Sequence, residues 1–229
     1  AISNSVNVHF CATLFASHST FWASSSAQQT FITNAINLLN SRPGSNGINI
    51  DFEELIEKSN EPLTQFQKEL YQALHPLGMI VTMDVAVKND DYDYKKLSAY
   101  NDYIILMAYD QFNHGSSPGP ISAQKWIEEA IDWTAKKIPG EKIILGIAGY
   151  GYDWSVNEDG KIDEVNDITY SEAINNAKAL NAVIDYDNDS YNLHYSYTQE
   201  FKNENGTTEK IKHEVWFTDA RSEERRVGK

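Results

Sequence analysis

The sequence predicts an α/β fold in which parallel strands are joined by helical crossovers. Three features predict it. Short β-branched, apolar runs alternate with longer segments of helical spacing, and each strand-plus-helix unit takes roughly 30 residues, as a parallel crossover requires. A third feature is size: 229 residues with 41% hydrophobic side chains suffice for one large domain or two small ones. A doubly wound sheet and a (β/α)8 barrel both satisfy this rhythm, and periodicity alone does not choose between them.

In order, VNVHFCATLF (6–15) reads as a strand. SSAQQTFITNAINLLN (25–40) reads as a helix capped by Ser25 or Ser26, with Phe31, Ile32, Ala35, Ile36 and Leu39 on one face. GINIDFE (47–53) is a strand, and LTQFQKELYQALHPLG (63–78) a helix stopped by Pro76 and Gly78. MIVTMDVAV (79–87) is a strand, a short polar helix lies near 93–100, and YIILMAYD (103–110) is a strand again. AQKWIEEAIDWTAKKI (123–138) is an amphipathic helix ending before Pro139, and KIILGIAGY (142–150) a further strand. Residues 151–212 break the rhythm. They are rich in Tyr, Asn and Asp, with a helix expected at 170–180 and strands at 191–198 and 209–218, and read as a small α+β insertion. HEVWFTDA (213–220) is expected to return to the core sheet, and residues 223–229 are expected to be a non-native tail.

A net charge of −14 argues against nucleic acid or an anionic membrane surface as partner. Thirteen Tyr and five Trp suit the flat faces of sugars, although most such rings belong to cores. Trp22, Trp126 and Trp133 are expected to be structural, with Trp22 alone at a strand end from which it could reach a sugar. Cys11, the sole cysteine, excludes an intrachain disulfide and is expected to be a small buried hydrophobe. No apolar stretch approaches the roughly 18 to 20 residues of a membrane span. The six histidines, His18 and His114 among them, lack metal-ligand spacing, so neither a metal nor an organic cofactor is expected.

The segment NGINIDFEE carries the chemistry. Residues two apart on a strand share a face, so Asn49, Asp51 and Glu53 lie on one side and Ile48, Ile50 and Phe52 on the other. Two buried carboxyls this close push their pKa values apart, and one can stay protonated near neutral pH. Such an acid can protonate a departing glycosidic oxygen. The same pattern also fits an amphipathic edge strand with its acids in water, and spacing does not separate the two.

Asn46 to Glu53, N-G-I-N-I-D-F-E, resembles the D-G-x-D-x-D-x-E signature of glycoside hydrolase family 18, with Asn46 and Asn49 standing where the signature has Asp. LMAYD (106–110) resembles the family's M-x-Y-D strand, GIAGYGYDW (146–154) its seventh strand, and HEVWFTDA its last. These motifs occur in the family's order across residues 46–219. The resemblance implies a TIM barrel. It is incomplete here, about strands 3 to 8, with VNVHFCATLF as the third strand and residues 151–212 inserted before the last. Residues 1–222 would then be one partial barrel, a fragment with two raw sheet edges and poor solubility expected.

The resemblance also implies roles. Glu53 protonates the leaving oxygen, Asp51 orients the sugar's 2-acetamido group, and Tyr109 donates a hydrogen bond to the acetamido oxygen. Asp110 helps hold the sugar, Tyr150 lies near it, Trp216 forms its floor, and Met107 is either a subsite wall or core. The sugar's own amide acts as nucleophile, the substrate-assisted exception among retaining glycosidases. Asn49 can hydrogen-bond Asp51 but cannot share a proton with it as an Asp would, so slower or pH-shifted catalysis is expected. The implied substrate is chitin or another N-acetylglucosamine glycan met outside the cell. N-glycans or peptidoglycan are alternatives within the same chemistry, and a sugar-binding lectin is the non-catalytic one.

Overall fold

The computed structural model describes residues 7–14, 18–55, 60–157, 159–202, 206, 208–220 and 222. The expected non-native tail, 223–229, lies outside them. The chain divides into two units, Ala1–Met107 with Ile131–Gly146, and Ala108–Ala130 with Ile147–Lys229.

The first unit is built on five parallel strands in consecutive order: β1 (His9–Leu14), β2 (Gly47–Phe52), β3 (Ile80–Ala86), β4 (Tyr103–Met107) and β5 (Ile143–Gly146). Helices α1 (His18–Trp22), α2 (Ser25–Ser41), α3 (Glu61–Leu74) and α4 (Tyr94–Ala99) intervene, and α5 (Gln124–Ala135) precedes β5. The cap of α2 is Ser24, one residue before the expected position, and its hydroxyl accepts from the Ala27 amide at 3.2 Å. Ile32, Ala35 and Leu39 are its buried face. Asn60 caps α3. Gly78, at φ 76°, ends the 3-10 turn that follows it, as a left-handed terminator should.

Ile48, Ile50 and Phe52 are buried on the helical side of β2. Phe52 stacks on Phe66 of α3 at 5.8 Å, inside a cluster completed by Phe21, Phe31 and Trp22. Trp22 therefore serves as packing, as Trp133 does against Tyr94 at 4.8 Å. Each fully buried aliphatic side chain here, such as Ile50 or Leu70, contributes on the order of 2 kcal/mol. Gly47 is required where three strands converge. A Cβ there would lie 2.6 Å from both the His9 ring and the Ile80 carbonyl.

The second unit holds an antiparallel sheet of order β7-β6-β10-β9-β8, where β6 is Tyr150–Val156, β7 Ile162–Thr169, β8 Asp185–Tyr186, β9 Leu193–Lys202 and β10 Thr208–Phe217. Helix α6 (Tyr170–Ala179) opens on a capping box between Thr169 and Glu172. Its Ala173 and Ala177 pack on Ile168, Leu193, Tyr195, Val215 and Phe217. The opposite sheet face carries Tyr152 and Trp154, packed with Ile121 and Ala148.

Three expectations need correction. HEVWF is not a further parallel strand among the described residues. It belongs to β10, paired antiparallel with β6 and β9, because the chain returns through a long hairpin rather than a crossover helix. The segment 142–150 is two strands, β5 and β6, in different sheets. Cys11 is exposed rather than buried. It shares the strand face of its register partner Asn49, which is the polar side of the sheet.

Candidate active site

The first unit gathers carboxyl groups on the polar face of its parallel sheet. β2 is hydrogen-bonded on both sides, to β1 and to β3, so its acids do not sit on an edge strand. Asn49 is 9% exposed and Asp51 and Glu53 are half-buried. Burial pushes the Asp51 carboxyl above its usual range, and the neighbouring Glu53 side chain pulls it back part of the way. The Oδ1 atom of Asp51 is buried and has no hydrogen-bond partner among the described residues.

Asn49 does not turn to Asp51, as expected above. Its Nδ2 donates to Asp84 Oδ2 at 2.7 Å and points to Cys11 Sγ at 3.5 Å, while its Oδ1 accepts from Thr82 Oγ1 at 2.8 Å. The amide is thereby fixed in one orientation by residues on both neighbouring strands. Carboxylate oxygens of Asp51 and Asp84 lie within 4.8 Å of each other. Burial raises the Asp84 pKa to about 6, with Asn49 opposing the shift and the Asp51 charge adding to it. Tyr92, 4% exposed, donates to the Phe52 carbonyl at 3.0 Å, and burial together with the Glu53 charge pushes its phenol up. Met107 ends β4 opposite Ala86 and is half-buried.

In the second unit, Tyr109, Tyr150 and Trp216 pack on the same cluster of Ile121, Ala148, Tyr152 and Trp154. Asp110 Oδ1 accepts from the hydroxyls of both Tyr150 and Tyr152, the latter at 2.7 Å. Burial first, and then this carboxylate, push both phenols upward, so they remain donors throughout the physiological range. Tyr109 meets Tyr150 edge-on at 6.2 Å, and Tyr150 meets Tyr152 at 5.6 Å. Across the sheet, Tyr152, Trp216 and His194 occupy one register row, and His194 stacks on Trp216 at 4.4 Å. His114, expected in a loop, pairs with Asp167 at 3.0 Å.

The unit that holds Asn49, Asp51, Glu53 and Met107 thus adds Asp84, Thr82 and Tyr92, which sequence reasoning missed. The unit that holds Tyr109, Asp110, Tyr150 and Trp216 adds Tyr152 and His194. A signal existed for two of these. Thr82 and Asp84 alternate inside the apolar run MIVTMDVAV, just as Asn49 and Asp51 do in β2.

Residues 14–226 match the family model described as glycosyl hydrolases family 18. The chain belongs to glycosyl hydrolase family 18. The candidate sporulation-specific glycosylase YdhD of Bacillus subtilis is 32% identical over 209 residues, covering 88% of the family 18 chain and 47% of YdhD. The cortical fragment-lytic enzyme of Bacillus anthracis is 27% identical, covering 96% of this chain and 50% of that protein. The chain therefore spans about half the length of these relatives. Among solved structures, YdhD superposes with a TM-score of 0.82 at 27% identity, covering 99% of this chain and 76% of that one. The spore cortex-lytic enzyme SleL of Bacillus cereus gives a TM-score of 0.76 at 25% identity, covering 93% and 50%. Family 18 neighbours have the TIM-barrel class of fold, with which the five consecutive parallel strands agree. No helix among the described residues is long and apolar enough to cross a membrane.

Proposed function

We propose that this chain is the catalytic domain of a retaining glycosidase that cleaves β-linked N-acetylglucosamine glycans by substrate-assisted catalysis. The observation that carries the reading is the placement of Asp51 and Glu53, both half-buried, at the end of a strand paired on both sides. A proton held on one of two carboxyls at such a place is available to a leaving group and is not lost to bulk water.

Glu53 gives its proton to the glycosidic oxygen as the C1–O bond breaks. The acetamido oxygen of the same sugar forms a bond to C1, giving an oxazolinium ion. Asp51 orients the acetamide and balances the positive charge on its nitrogen, and Tyr109 donates to the acetamido oxygen. Water then attacks C1, its proton passes to Glu53, and the C1–acetamide bond opens. Configuration is retained and Glu53 is protonated again. Asp110, held by Tyr150 and Tyr152, would bind sugar hydroxyls, with Trp216 beneath the ring.

Chitin and peptidoglycan both offer the required 2-acetamido sugar. The names of the cortex-lytic relatives from Bacillus favour a bacterial wall glycan as the second reading. Either polymer implies action outside the cell membrane or at the cell surface. Incubating the parent protein and Glu53→Gln with chitopentaose and with purified peptidoglycan strands tests the reading. Release of reducing ends should fall by at least about a thousandfold in Glu53→Gln while glycan binding persists. Undiminished turnover by Glu53→Gln would refute it, and binding without turnover by the parent would leave a lectin.

A further inference from the structure

We propose that His194 is a positioning residue for the sugar platform: its imidazole, stacked on one face of Trp216, holds the indole at the tilt at which the opposite face receives the glycan. The inference rests on the reading of Trp216 as the floor beneath the bound sugar.

The register of the antiparallel sheet builds the pair. Tyr152, Trp216, His194 and Asp185 lie side by side on β6, β10, β9 and β8, so each member of the pair has a strand on both sides. The next residues along β9 and β10 turn to the other face of the sheet, where Leu193, Tyr195, Val215 and Phe217 are buried against α6. Two residues before His194, Asn192 is buried, and its amide nitrogen donates to the Ser122 and Ser190 carbonyls at 2.9 Å each. The backbone that carries the two rings is therefore held from below and from one flank.

His194 and Trp216 are both half-buried. Their rings lie 4.4 Å apart, centre to centre, and within 20° of parallel. Tyr152, on the far side of Trp216, sends its hydroxyl to Asp110. Among the described residues the ring stacked on Trp216 is that of His194. A planar ring has two faces, and with His194 on one of them a sugar can stack only on the other. His194 approaches from the β9 side, so the remaining face is turned toward β6, the strand whose Tyr152 holds Asp110. An unbacked indole can adopt several staggered rotamers, and ordering it on binding costs affinity. Stacked on His194, Trp216 is ordered before the sugar arrives. His194 acts through the indole and contacts no sugar itself.

Binding is measured by calorimetric titration of chitopentaose, or of purified peptidoglycan strands if those bind instead, into Glu53→Gln, and every further variant carries that substitution. His194→Ala should weaken binding by about three- to tenfold, the effect of freeing one side chain that the ligand must order. His194→Phe restores a flat ring without the imidazole nitrogens and should bind within about twofold of the Glu53→Gln background. His194→Gln, polar and ringless, should match His194→Ala. Trp216→Ala should itself weaken binding, and adding His194→Ala to it should change affinity by less than about 1.5-fold, because the platform through which His194 acts is gone. A His194 that only supported the sheet would weaken both backgrounds alike. Unchanged affinity in His194→Ala, or an equal loss with and without Trp216, would overturn the proposal. If His194→Ala does not fold, the other two variants decide, and equal affinities of His194→Phe and His194→Gln overturn it. A weakened Trp216→Ala beside an unaffected His194→Ala removes only this inference. Turnover by Glu53→Gln, or its failure to bind either glycan, removes the proposed function and this inference together.

Discussion

At Asn49 every polar atom is committed, the amide nitrogen to Asp84 and Cys11 and the carbonyl to Thr82. Replacing it with Asp would set two carboxyl groups about as close as the present hydrogen bond and leave Cys11 without a donor. Such a pair must share a proton or repel. Asn49→Asp should therefore lose thermal stability as pH rises from about 5 to 8, by on the order of 1–3 kcal/mol at the upper end. Adding Asp84→Asn should recover most of that loss. Denaturant melts of the four proteins of this cycle, at both pH values, check it. A carboxyl whose folded pKa is raised costs stability above its unfolded value near 4, so the penalty belongs on the alkaline side of the window.

Among elements, the turns after β2 and β4 and the pairing of β6 with β10 carry the proposed site residues. Glu54 follows Glu53 with φ 54°, and Asp110 follows Tyr109 with φ 58°. A left-handed backbone at a non-glycine residue costs about 1 kcal/mol or more, and here it occurs immediately after Glu53 and after Tyr109. The β6–β10 pair depends on Gly151, where a Cβ would lie 2.2 Å from the Trp216 carbonyl and 2.5 Å from Phe217 Cβ. Gly151→Ala should push β10 away. The expected outcome is a loss of several degrees in melting temperature, blue-shifted tryptophan fluorescence replaced by a more exposed signal, and impaired glycan binding. A melt and emission spectrum matching the parent's would contradict that role. The elements themselves were largely legible, because hydrophobic period and caps are local signals. β7 was not, since its alternation is diluted by Asp, Asn and Glu on an exposed face, and β8 is only two residues long.

For the molecule as a whole, the formal charge of −14 bears on substrate approach. A neutral chito-oligomer should be bound with kcat/KM that changes less than about twofold between low salt and about 0.15 M. Peptidoglycan bearing acidic stem peptides should be cleaved faster as salt screens the repulsion. Initial rates on both substrates across ionic strength measure this, and strong salt inhibition with the neutral oligomer would point to an unrecognised cationic subsite.

The sequence by itself determined the β-α rhythm of the first unit, the shared face of Asn49, Asp51 and Glu53, and the family to which its ordered motifs belong. The first two depend on spacing within a short stretch of chain, where a strand's period of two or a helix's of 3.6 assigns each side chain its direction, and the third rests on the resemblance of motifs in order along the chain. Tertiary structure alone decided that Asn49 serves Asp84 rather than Asp51, that Cys11 is exposed, and that β10 runs antiparallel beside β6. Each of those depends on which distant strand becomes a neighbour and in what register. Asn49 and Asp84 are 35 residues apart, and local pattern carries no record of such a meeting.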